Sequence, residues 1–207
     1  MKARNWAIVI VLSLLSCVPA LAGPFGLERG MTPEQVIALL GRNVIKDHKT
    51  DALGGMIMHV TTVPKPHSKM EFYGLVFSRE SGLLKIIAYS KDIRTASDGA
   101  EVRDSYVEIR NALVAGYGTP ADEFDFVKSG SLWDKPEDFV MGLLKKERTL
   151  EAYWETKEAK PLKDDLSLVS VEAQAVNSET GYLIITYEFS GWGFYVSRLK
   201  SKENAVF

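Results

Sequence analysis

Side chains suited to bond-making chemistry are sparse in this chain of 207 residues. Its three histidines, His48, His59 and His67, never stand in H-x-x-x-H spacing, and Cys17 is the one cysteine. A zinc site gathers three or four such ligands, so His59 is read as a strand-face residue, His67 as a turn residue, and no metal is expected. Ser129-Gly130-Ser131 lacks the strand-turn-helix frame of a nucleophile elbow. Gly54-Gly55 is followed by no Gly-Lys-Ser/Thr, so neither a phosphate loop nor any other cofactor site is expected. Carboxylates are plentiful: Glu71 within a strand pattern, Asp164-Asp165 in a charged loop, and Asp122, Glu123 and Asp125 around Phe124 and Phe126. Acid–base catalysis needs two of them in environments that pull their pKa values apart. A periplasmic hydrolase is therefore the alternative reading, and it requires at least two of Glu71, His59, His67 and Asp134 in one concave pocket.

The aromatic groups are more suggestive. Ser131-Leu132-Trp133-Asp134 precedes a helical pattern, and Ser190-Gly191-Trp192-Gly193-Phe194-Tyr195 follows the last long strand pattern. Glycines beside Trp192 strip away neighbouring side chains, and exposed tryptophan and tyrosine are efficient binding anchors. Trp133, Trp192, Phe194 and Tyr195 are the candidate partner-binding residues. The competing reading folds Trp192 and Phe194 back to plug the end of the sheet. Trp154, in mid-strand, is expected in the core.

Helices and strands must position these groups. Thr32 is a good N-cap, Pro33 suits the first helical position, and Gln35 completes a capping box. Met31 and Val36 are spaced as a hydrophobic staple, Val36, Ile37, Leu39 and Leu40 supply an apolar face, and Gly41 ends the helix. So short a helix must dock on a sheet. Strands are expected at 56–63, 70–78 and 83–89, with residues 42–51 as a polar connection. A second helix follows an Asp98–Glu101 capping pair, with Val102, Tyr106, Ile109, Leu113 and Tyr117 as its stripe. A third is expected at 135–146, capped by Asp134, its Lys145, Lys146 and Arg148 opposing the helix dipole. Strands follow at 150–156, 166–176 and 182–189. Both halves then read as a helix ending in glycine, an irregular link and three strands. The expected class is α+β, two helix-plus-antiparallel-sheet units in tandem at residues 23–95 and 96–207, either separate or sharing one core.

Lys2 and Arg4 precede an apolar run at 7–15, which is shorter than the roughly 20 residues a membrane span needs, and Ala20-Leu21-Ala22 is an A-x-A cleavage signal. Residues 1–22 are thus expected to be a signal peptide cut after Ala22, with a periplasmic or secreted product and no transmembrane segment. Leu14-Leu15-Ser16-Cys17 resembles an imperfect lipobox. Leu15 stands where a small residue is usual, so a lipid anchor at Cys17 is the weaker outcome. Cleavage after Ala22 leaves no cysteine, hence no disulfide and no thiol chemistry. With 25 basic against 27 acidic residues there is no electrostatic case for nucleic acid.

The run GMTPEQVIALLG at 30–41 resembles the first helix of the SmpA/OmlA type of outer-membrane assembly lipoprotein. It is also similar to the helix that opens each repeat of β-lactamase inhibitor protein (BLIP). Residues 64–93 are similar to exported bacterial proteins of comparable length, a likeness that brings no activity with it. The BLIP resemblance implies two helix-plus-sheet units and a non-enzymatic, protein-binding role in the cell envelope as inhibitor, immunity protein or assembly factor. The chain departs from these families in being longer than the lipoproteins and in lacking the inhibitor's cysteines.

Overall fold

The computed structural model describes residues 23–42, 45–156 and 162–204. The export signal read at 1–22, with the cleavage after Ala22 and the lipobox at Cys17, lies outside the described residues. The class is α+β. The helices are α1 (Pro33–Leu40), α2 (Ala100–Tyr117), α3 (Phe139–Leu144) and α4 (Trp192–Asn204). The strands are β1 (Ile45–Thr50), β2 (Met56–Val60), β3 (Met70–Ser78), β4 (Gly82–Ser90), β5 (Ile93–Arg94), β6 (Asp122–Val127), β7 (Arg148–Glu155), β8 (Leu166–Asn177) and β9 (Thr180–Phe189). They form one antiparallel sheet in the order β1-β2-β3-β4-β9-β8-β7-β6, with β5 added on β9.

Local chemistry explains α1 as expected. The Thr32 hydroxyl accepts from the Gln35 N–H at 3.3 Å, and Gln35 Oε1 accepts from the Thr32 N–H at 2.8 Å. Val36 is buried, Ile37 and Leu40 pack at the edge of the core, and Leu39 turns out to solvent. α2 buries Val102, Tyr106, Ile109 and Leu113, but its start differs from the expected capping pair. Gly99 takes the N-cap in the left-handed region. Glu101 instead closes the entry loop, its carboxylate accepting from Thr95 Oγ1 (2.7 Å) and the Ala96 N–H (3.2 Å). The third helix is shorter than expected: a 3-10 turn at Pro136–Asp138 leads into α3, with no side-chain cap from Asp134.

Each half is a helix followed by a four-stranded antiparallel meander: α1 with β1–β4, then α2 with β6–β9. The last strands of the two meanders, β4 and β9, pair in the centre, with Lys85 opposite Glu188 and Tyr89 opposite Ile184. The two units therefore share one continuous sheet. The expected three strands per half are four, because residues read as a polar connection form β1 and the acidic stretch around Phe124 and Phe126, to which no strand was assigned, forms β6. Both are outermost strands. On one face of the sheet α1, α2 and α3 enclose a core containing Tyr73, Phe77, Phe139, Trp154 and Phe189, each contributing about 1.5–3 kcal/mol by burial. The Trp154 indole N–H donates to the Gly118 carbonyl at 2.7 Å. α4 lies on the other face, where Tyr195 is buried with Val76 and Leu84 outside the main core.

Candidate functional site

The strand register tiles the second face of the sheet into rows, because residues directly opposite one another share a face. One row runs Phe72, Tyr89, Ile184, Glu172, Glu151, Phe124 across six strands. The next runs Asp47, His59, Gly74, Ile87, Thr186, Ser170, Tyr153, Asp122 across eight. A third contains Ile57, Val76, Lys85 and Glu188, and here α4 crosses the sheet. Trp192 lies beside that row, the Lys85 ammonium 4.9 Å from its ring centre and paired with Glu188 at 2.9 Å. Among the described residues no helix covers the first two rows. Phe72 and Tyr89 stack with ring centres 4.4 Å apart, and Phe124 contacts both Tyr153 (5.9 Å) and Phe126 (6.2 Å). Phe72, Phe124 and Phe126 are exposed.

Between the two aromatic ends, Glu151 and Glu172 face each other directly. Burial, and then the neighbouring Glu172 charge, push the Glu151 carboxyl above its ordinary range. Burial also raises Tyr89 and Tyr182, each with a contribution from Glu172. The open face is thus apolar and aromatic at both ends with an acidic centre, and among the described residues neither carboxylate has an ion-pair partner.

The four aromatic candidates do not form one patch. Trp133 is half-buried on the link from β6 to α3, its backbone N–H donating to Ser131 Oγ at 3.0 Å. Trp192, Phe194 and Tyr195 begin α4, not a loop. Trp192 is half-buried, and Tyr195 is 6% exposed with its hydroxyl donating to Asp51, so neither stands free of the sheet. They plug the sheet end because the α4 backbone, entered through Gly191 at φ 98°, turns their side chains inward. Phe194 alone of these three faces solvent, at 69% exposure, with the Arg198 guanidinium 5.9 Å from its ring.

Of the residues a hydrolase would need, Glu71 and His59 do meet. They line a hollow of about 370 Å³ with Asp47, Thr61 and Phe72. His59 Nδ1 stands 2.5 Å from Asp47 Oδ1, and the ring lies over Gly74. His67 is in a separate turn, where its Nδ1 accepts from the Lys69 N–H at 3.2 Å, and Asp134 is exposed before α3. Among the described residues no group of three or more His, Cys, Asp or Glu is placed to hold a metal ion, and no helix is long and apolar enough to cross a membrane.

The residues that sequence reasoning missed are Tyr89, Ile184, Glu151 and Glu172. Each belongs to a strand that was expected, and alternation alone puts it opposite the buried set. Their assembly into one row depends on β4 pairing with β9, which no local pattern announces. Compared with family models, with curated proteins and with solved structures, the chain finds no match.

Proposed function

We propose that this is an exported, non-enzymatic protein of the cell envelope that binds another protein through the open face of its sheet. The observation that carries the reading is the row Phe72, Tyr89, Ile184, Glu172, Glu151, Phe124, two apolar ends flanking an acidic centre on a face that no helix covers among the described residues. Aromatic anchors around a charge that desolvates on contact are what binding hot spots are made of. The complementary partner surface is apolar with a central lysine or arginine. The two helix-plus-meander units agree with the BLIP-like resemblance, which points the same way: an inhibitor, an immunity protein or an assembly factor. A photo-crosslinking residue at Thr186, central on the open face, should yield one discrete protein adduct in the native envelope. The same group at Leu39, exposed on α1, should not. Equal adducts from both positions, or none from Thr186, would sink the reading.

One observation favours a second reading. Asp47 orients His59 in a hollow that Glu71 also lines, an arrangement suited to proton transfer in a periplasmic hydrolase. Under it, His59→Ala abolishes turnover of a hydrolysable substrate without altering the Thr186 adduct. Under the binding reading no turnover exists to lose.

A further inference from the structure

β7 and β8 separate at one end of the sheet. Their pairing ends at Glu151 opposite Glu172, yet β7 begins at Arg148 and β8 continues to Asn177. β7 stays with β6 to the last rung, Val127 opposite Arg148. β8 stays with β9 through a bulge to Asn177 opposite Thr180. The wedge between them is a cleft of about 220 Å³ floored by Leu143 and Leu150, with Lys128, Lys146, Thr149, Glu151, Glu172 and Gln174 around it. The two strand edges facing each other across it, at Thr149 and Gln174, are not paired with one another.

Charge in this cleft is divided. The cations come from the β6–α3–β7 corner, the carboxylates from the last rung that β7 and β8 share. Among the described residues none of Lys128, Lys146, Glu151 and Glu172 has an ion-pair partner. Glu147, next in sequence to the lysines, is held by Ser131 Oγ at 2.6 Å. Beside the basic lip, Arg103 and Arg148 share the single carboxylate of Asp125, at 3.2 and 3.8 Å, and among the described residues Nε and Nη1 of Arg148 are buried without a hydrogen-bond partner. Arg148 itself lines the cleft and is largely buried, so its charge is less screened there than that of a surface cation.

The backbone at Lys146 is a separate sign. It occupies the left-handed region at φ 57°, where the Glu147 N–H closes the end of α3 onto the Gly142 carbonyl at 2.9 Å. Glycine is the usual occupant of that position, and a side chain there is strained. A free ammonium at the cleft gives the lysine a reason to be there.

A simple anion is repelled by the glutamates and a simple cation by the lysines, so a ligand carrying both charges fits best. We infer that the cleft binds a small zwitterion, a free amino acid or a dipeptide. Its ammonium meets Glu151 and Glu172, its carboxylate meets Lys128 and Lys146, and a peptide group between them pairs with the open strand edges. The volume lies below the roughly 300–1,000 Å³ of drug-sized sites, as a ligand of so few atoms requires.

Alanyl-alanine titrated into the intact protein, followed by amide chemical shifts, tests this. Thr149, Ala173 and Gln174 should shift and saturate. Blocking the peptide's amine by acetylation, or its carboxylate by amidation, should weaken binding about tenfold or more. Lys146→Gly should lose a similar factor while melting at a higher temperature, because it removes the ammonium and the strain together. Lys146 is not part of the open-face rows, so the Thr186 adduct should survive that change. Equal affinity for blocked and free peptides, full affinity in Lys146→Gly, or no saturable shift up to about 10 mM would each overturn the inference.

Discussion

Gly99 shows how a single position can hold two helices in place. It opens α2 at φ 70°, and a Cβ built there would meet the Phe139 ring at 2.1 Å. Phe139, the first residue of α3, is fully buried, with the Arg103 guanidinium 3.9 Å from its ring centre, so it has nowhere to move. Backbone strain and overpacking then add. Gly99→Ala should destabilise the protein by about 2–4 kcal/mol, read as a lower denaturant midpoint at unchanged slope. An unchanged midpoint would mean that Phe139 can vacate its site. Gly55 is confined in a related way: a Cβ there would meet the Tyr195 hydroxyl, the contact that docks α4 beside Asp51.

Strand pairs and helix docking operate one scale up. β7 and β8 place two carboxylates on the same rung, Glu151 opposite Glu172. The folded state favours the protonated form of Glu151, because burial and the facing charge raise its pKa. The sign follows: its contribution is intact below the ordinary glutamate range and is lost as pH rises through its folded pKa. Glu172→Gln removes the facing charge and should stabilise the fold by about 0.2–1 kcal/mol near neutral pH. The gain should vanish below about pH 4, where glutamates in the unfolded chain are protonated too. A gain that persisted in acid would place its origin in packing, not charge. α4 behaves as an element in the same sense. Tyr195 to Asp51 and Arg198 to Glu80 tie it to the tips of the β1–β2 and β3–β4 hairpins, far away in sequence.

At the scale of the whole molecule the tyrosines act together. All eight have pKa values above the ordinary one near 10. Burial is the first cause in seven; for Tyr153 it is the hydroxyl donated to Asp122. The unfolded chain therefore releases phenolic protons first. The tyrosines' contribution to stability is full below about pH 10 and falls as pH rises beyond it. Denaturant midpoints should be much lower near pH 11 than near pH 8, and tyrosinate absorbance should appear together with loss of helix signal rather than before it. Phenolic titration at an ordinary pKa in a protein that stays folded would contradict the burial of Tyr106, Tyr117 and Tyr187. The central pairing of β4 with β9 belongs to this scale as well, since it merges two meanders into one sheet and creates the open face.

What the sequence determined by itself was local. Thr32, Gln35 and Gly41 bound α1 through contacts within a turn of the helix, and the Val102 to Leu113 stripe and the β3–β4 and β8–β9 hairpins follow from periodicity and turn chemistry. β1, with the sequence IKDHKT, and β6, DEFDFV, were illegible as strands. An edge strand has a neighbour on one side only, so it needs no apolar alternation, and β6 is held by Arg103 and Arg110 of α2 bonding Asp125 and Glu123. α4 was illegible because its glycine-flanked start reads as a loop, and its partners Asp51 and Glu80 lie more than a hundred residues upstream. Only the tertiary structure decided which residues share a surface. Rows across a sheet are set by strand order and register, which depend on contacts between segments that no local window contains. The aromatic residues at Trp192 and Tyr195 therefore became packing, and the pair Glu151 and Glu172, unremarkable in sequence, became the centre of the face.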